Sequence, residues 1–124
     1  MAEPYDQFHA TAKGTMRGMD GLPEIVTNHL DEVRALCEKY SVKRLTIFGS
    51  AVKGTFDPAR SDLDFVVEFE WHSDPSERGR RWLELWEALK DLFGLHIDLL
   101  VASTIENPFI AQSIRSAHLD LYAA

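Results

Sequence analysis

The sequence predicts an α+β fold, a small mixed β-sheet with helices packed mainly on one of its faces. Three observations predict it. Some segments carry apolar residues at three- and four-residue spacings, others are short β-branched or alternating runs, and the two kinds are interleaved. The 124 residues amount to one domain, long enough to bury most of the surface that the unfolded chain exposes. Hydrophobic residues make up 45% and charged residues 27%, an ordinary globular mixture rather than a disordered or collagen-like one.

Residues 1–20 read as a flexible polar tail, with Gly14 and Gly18 and no sustained period; residues 21–124 then form the folded domain. Met16 and Met19 stand just ahead of the first strong pattern and read as alternative starts. A first helix is expected from Pro23 to about Tyr40, with Val26, Leu30, Val33, Cys37 and Tyr40 on its buried face. The single cysteine, Cys37, excludes an internal disulfide and reads as a small core residue. Lys43–Phe48 is a short strand that stops at Gly49-Ser50, and Leu63–Phe69 is a second. The intervening KGTFDPARSD is a turn-rich loop. Asp74, Pro75 and Glu77 open a second helix that runs to Phe93, where Gly94 suits the stop. Its stripe of Trp82, Leu85, Trp86, Leu89 and Phe93 reads as core rather than as a base-stacking platform. His96–Val101 is a third strand, Asn107-Pro108 starts a helix through about Ser116, and Leu119–Tyr122 is a last edge strand.

Charge and hydropathy narrow the function classes. Acids outnumber Lys and Arg by 20 to 13, a net charge of −7, which lacks the basic footprint of a duplex DNA or RNA binder. No apolar run approaches the ~20 residues of a membrane span, and the N-terminal stretch has no apolar signal-peptide core. These features point to a cytoplasmic domain with no membrane and no bulk nucleic acid among its partners.

Three features stand in order: Gly49-Ser50 after a strand, Asp62 and Asp64 entering the next, and Asp98 in a later one. Strand side chains alternate, so Asp62 and Asp64 point the same way and Leu63, Phe65, Val67 and Phe69 the other, toward a core. Asp98 joins the pair if its strand lies alongside, which puts the acids at one edge of the face opposite that core. Three crowded carboxylates repel and raise one another's pKa unless a cation neutralises them. Hard oxygen ligands suit Mg²⁺ or Mn²⁺ rather than zinc, and two such ions ~3.5–4 Å apart can clamp the attacking and leaving oxygens of a nucleotidyl transfer. Gly49 lets the backbone turn tightly toward a phosphate, and a helical turn opened by Ser50 would point amides at an anion. Lys53 or Arg60 could add positive charge there. Singly, each motif is more often a turn or a solvated strand end; the offset from Ser50 to Asp62, with a third acid after a helix, gives the set its specificity.

The run GSAVKGTFDPARSDLDFVVEF resembles the signature of DNA polymerase beta-like nucleotidyltransferases, a GSxAxG motif followed by an SDxD strand. The resemblance is nearest to minimal nucleotidyltransferases, antitoxins that act beside HEPN-domain toxins. It extends over about residues 22–122, including HIDLLV and the ending NPFIAQSIRSAHLDLYAA. It implies the nucleotidyltransferase fold, with Gly49, Ser50, Lys53 and Ser61 holding the nucleotide and Asp62, Asp64 and Asp98 as catalytic, metal-binding carboxylates. Asp98 would also help to deprotonate the acceptor hydroxyl. Val52 and Lys53 depart from the common alanine and arginine; lysine keeps the charge but loses the planar fork. The resemblance further implies ATP as substrate, two Mg²⁺ or Mn²⁺ ions, and transfer of AMP to a tyrosine of the partner HEPN toxin.

Other readings stand beside this one. The same fold could neutralise a toxin by occlusion with vestigial acids, although a pure binder has no need of crowded carboxylates. A small-molecule transferase, toward an aminoglycoside for example, would need an acceptor domain for which this chain has no room. The scattered histidines lack metal-ligand spacing; His96, on the face of Asp98, reads as a rim residue or a support behind the ligands rather than a ligand. Glu68 reads as solvated, and Arg78, Arg80 and Arg81 as an exposed helix start.

Overall fold

Alternation in four short runs builds one sheet. Val42–Phe48 (β1), Leu63–Phe69 (β2), Ile97–Val101 (β3) and His118–Ala123 (β4) pair in the order β3-β2-β1-β4. Strand β1 is antiparallel to β2 and β4, whereas β2 and β3 are parallel, so the sheet is mixed as expected. The helices are α1 (Glu24–Thr27), α2 (Leu30–Lys39), α3 (Ser50–Lys53), α4 (Pro75–Phe93) and α5 (Pro108–Ser116), with a 3₁₀ turn at Ala102–Thr104. The computed structural model describes residues 21–124; the expected tail, 1–20, lies outside the described residues. Among the described residues no helix is long and apolar enough to cross a membrane.

The strand pleat separates two cores. Leu45, Ile47, Leu63, Phe65, Val67, Ile97 and Leu99 face the main one, where Val26, Val33, Cys37, Leu85, Leu89 and Phe93 of the helices meet them. The opposite face carries a smaller core in which Phe48 and Val66 pack with Ala102, Ile105, Ala111 and Ile114. Helices thus lie mainly on one face, and α5 covers part of the other, which turns that face from an open surface into one wall of a site. Caps set the two C-terminal helices where the sequence places them. The Asp74 side chain accepts from the Ser76 amide at 2.9 Å, and that of Asn107 accepts from the Phe109 amide at 2.8 Å, satisfying first-turn amides that have no intrahelical partner.

The lead-in helix expected over Pro23–Tyr40 is broken. Asn28 and His29 interrupt it between α1 and α2. The His29 ring bonds the Ile25 carbonyl at 2.7 Å, and the His29 amide turns to Val26 at 3.1 Å instead. A side chain that occupies the carbonyl four residues back competes with the helical ladder at that point. The tryptophans of α4 pack against the main core and also seal an edge. Trp82 and Trp86 donate to the carbonyls of Leu99 and Ile97 at 3.0 and 2.8 Å, so edge strand β3 does not present a bare row of acceptors.

Candidate active site

The acids enter from adjacent parallel strands in register. Asp64 of β2 stands opposite Asp98 of β3, and the pleat turns both to the face that α5 partly covers. One step earlier, the Leu63 amide donates to the His96 carbonyl at 3.1 Å, which sets Asp62 beside His96. The His96 Nδ1 lies 3.4 Å from an Asp62 oxygen and 3.8 Å from an Asp98 oxygen. His96 is expected on the face of Asp98, at the rim or supporting the acids; it is exposed there, and the parallel register sets it beside two of the carboxylates.

Electrostatics follow from this crowding. The Asp64 carboxyl is held up at about 7, against an ordinary 3.8. Burial is the largest cause, followed by the hydrogen bond with Asp98 and then the charges of Asp98 and Asp62; His96 opposes the shift. A carboxyl that retains its proton beside two others is a group for which a cation could substitute. One donor atom each from Asp62, His96 and Asp98 lies within 4.8 Å of the others. The set offers carboxylate oxygens, which suit hard divalent ions, and one imidazole, which suits borderline ions, so it fits a divalent cation.

The Gly49-Ser50 turn lies close against the Asp64 carboxylate. Gly49 has φ +79° and is buried, and a Cβ added there would meet the Asp64 Oδ2 at 2.6 Å. Both the left-handed backbone and the close approach require glycine. The Val52 and Lys53 amides each donate to the Gly49 carbonyl at 3.0 Å, closing the helical turn α3. The side chain of Lys53 is exposed at its end. Ser61 closes the preceding loop: its Oγ accepts from the Asp57 amide at 2.9 Å and its own amide donates to the Asp57 carbonyl at 2.7 Å. Arg60 is an exposed side chain, 4.0 Å from Asp57.

Beyond the acids lies a cavity of about 320 Å³, lined by Phe48, Asp64, Asp98, Leu100, Phe109, Ile110 and Ser113. The last three come from α5 and carried no motif. Their sequence signals were the Asn-Pro cap that sets the helix and the resemblance of the chain's ending, neither of which singled them out as site residues. Glu68, read as solvated, is instead largely covered and lies 3.5 Å from Arg44, which also faces the buried Asp120 at 3.8 Å. Asp120 in turn accepts from Thr46 at 2.7 Å. The cross-strand neighbours of β2 draw Glu68 in, which the sequence of β2 alone does not reveal. Arg78 and Arg80 are exposed as expected, but Arg81 is largely covered and donates to the Glu70 carbonyl at 3.1 Å.

Comparison with known proteins gives the family and the fold. The family described as nucleotidyltransferase domain matches residues 33–121. A Methanocaldococcus jannaschii chain provisionally named a protein adenylyltransferase is 35% identical over 99 residues, 80% of this chain and 93% of that one. Protein adenylyltransferase MntA of Thermococcus cleftensis is 34% identical over 92 residues, 74% of this chain and 85% of that one. Among solved structures, one described as a minimal nucleotidyltransferase superposes with a TM-score of 0.57 at 24% identity, covering 77% of this chain and 92% of that one. A toxin-antitoxin crystal structure with AMP-PNP gives 0.58 at 19% identity, covering 77% and 73%. At these identities the two structures speak for the fold.

Proposed function

The chain belongs to the minimal nucleotidyltransferases and is an enzyme of that class, and from this premise we propose that it is the antitoxin of a HEPN toxin, a metal-dependent protein adenylyltransferase that moves AMP from ATP to a tyrosine hydroxyl of the toxin. The observation that carries this reading is the in-register pair Asp64 and Asp98, with Asp62 on the same face and the Gly49-Ser50 turn against Asp64. Relatives named as protein adenylyltransferases, and fold neighbours crystallised as toxin-antitoxin complexes, support the choice of a protein acceptor. The cytoplasm is the compartment that goes with this function.

The residues divide the work. The Gly49-Ser50 turn would bind the triphosphate, with the Ser50 hydroxyl and the first amides of α3 as donors and Lys53 as a nearby cation. Ser61 would shape the loop that leads to Asp62 rather than reach far into the site. Asp62, Asp64 and Asp98 would hold Mg²⁺, or Mn²⁺, with His96 beside them. The metal, when bound, supplies charge neutralisation for the triphosphate and for the acceptor oxygen. The phenolic oxygen forms a bond to the α-phosphorus, the bond from that phosphorus to pyrophosphate breaks, and the phenolic proton passes to the Asp98 carboxylate and then to water. Holding donor and acceptor in line is the larger part of what the protein contributes.

Retained crowding favours catalysis over occlusion. Raising the Asp64 carboxyl to about 7 is a cost that a binding module would have no reason to keep. The test is transfer itself. With its cognate HEPN protein and Mg²⁺, the chain should transfer label from ATP labelled at the α-phosphate and none from the γ-phosphate. Asp62→Ala/Asp64→Ala should lower the rate at least a hundredfold. Full toxin neutralisation by that variant with no label transferred would establish the occluding antitoxin instead.

A further inference from the structure

The cavity beside the carboxylates has walls unlike those a nucleotide triphosphate needs. Leu100, Ile110, Phe48 and Phe109 make it largely apolar, and Asp64 and Asp98 also line it. None of its lining residues carries a positive charge, so a triphosphate would meet only carboxylates there. Its volume, about 320 Å³, is at the small end of ligand pockets, which run from roughly 300 to 1,000 Å³. An apolar ring that presents one hydroxyl to the acids fits this lining.

Position argues the same way. Asp64 belongs to two neighbourhoods: the Gly49 backbone approaches its Oδ2, and the same residue lines the cavity. Neither Gly49 nor Ser50 lines the cavity. In an in-line displacement the attacking and leaving oxygens stand on opposite sides of phosphorus. If the Gly49-Ser50 turn holds the leaving pyrophosphate, the attacking group needs a place outside that turn, and the cavity beside Asp64 offers one.

Phe109 both lines the cavity and faces solvent. It is 83% exposed, although Asn107 caps its amide and α5 packs into the smaller core. A large apolar side chain that remains exposed beside carboxylates is a contact surface awaiting a ring.

We propose that this cavity is the acceptor subsite, a slot for an aromatic hydroxyl side chain, and that Phe109 sets the preference for tyrosine over serine or threonine. The inference rests on the nucleotidyl-transfer reading, from which it takes the direction of attack.

Nuclear magnetic resonance titration tests it, with N-acetyl-tyrosinamide and N-acetyl-serinamide as probes at millimolar concentration. Tyrosinamide should shift the amides of Leu100, Phe109, Ile110 and Ser113, and serinamide should not. Phe109→Ala should weaken tyrosinamide binding about five- to tenfold, in keeping with one aromatic contact, and Phe109→Trp should retain it. Mg·ATP, titrated separately, should shift Gly49–Lys53 equally in wild type and Phe109→Ala. Tyrosinamide shifts that are absent, or unaffected by Phe109→Ala, overturn the subsite. So does an equal loss of Mg·ATP affinity in Phe109→Ala, which would give the cavity to the nucleotide base. Tyrosinamide seated without any Mg·ATP binding would uphold the aromatic slot while removing the nucleotide reading.

Discussion

At the scale of single residues, the tension of the site is concentrated in Asp64. With its carboxyl raised from 3.8 to about 7, the folded protein keeps a proton that the unfolded chain has released across that window. Stability rises with pH only where the unfolded state binds more protons, and here the folded state binds more. The Asp64 contribution therefore makes the metal-free protein less stable as pH climbs from about 4 to about 7, and is level above that. Asp64→Asn removes this contribution, so its melting temperature should gain steadily on that of wild type through the window and then hold a constant lead. Mg²⁺ above pH 7 should narrow the lead by stabilising wild type. A gap independent of pH would mean that Asp64 titrates normally. The carboxylates and Gly49-Ser50 were legible in the sequence because alternation alone orients Asp62 and Asp64. The face of His96 was legible too, but its closeness to Asp62 was not, since that depends on the β2-β3 register, which no local pattern encodes.

At the scale of elements, helix α4 ties the site to the core. Its buried face, Leu85, Leu89 and Phe93, packs under β2 and β3, and its indoles bond the edge carbonyls of β3. Leu85→Ala should cost about 2–5 kcal/mol by the usual penalty for emptying a core position, measured by urea denaturation. A loss below 1 kcal/mol would mean that the helix does not anchor the sheet. The bounds of α4 and α5 could be read from the sequence because Asp74-Pro75 and Asn107-Pro108 are cap-and-proline pairs. The break at His29 could not, because apolar spacing continues through it while a side-chain hydrogen bond diverts the backbone. Cys37 behaves as its spacing predicted: buried in α2, its thiol is pushed up to about 12, first by burial and then by Glu38.

At the scale of the whole molecule, the site is open to solvent and the chain is acidic, with a net charge of −7. Side chains of Asp62, His96 and Asp98 are 46%, 62% and 48% exposed. An enzyme that excludes water only when its acceptor docks would leave its carboxylates this accessible, and its charge favours a partner with a basic surface. The α+β class and the face that carries the acids were evident from periodicity. The cover that α5 gives to that face was not, because its packing depends on Ile105, Ala111 and Ile114 meeting Phe48 and Val66 across the fold. Calorimetry of ATP binding, with and without Mg²⁺, on wild type and Asp62→Ala/Asp64→Ala is the most direct examination of the nucleotide site. Binding that requires Mg²⁺ and disappears in the folded double variant is the result this geometry predicts. Wild type that binds no ATP at millimolar concentration, with Mg²⁺ and the cognate HEPN protein both present, would contradict it.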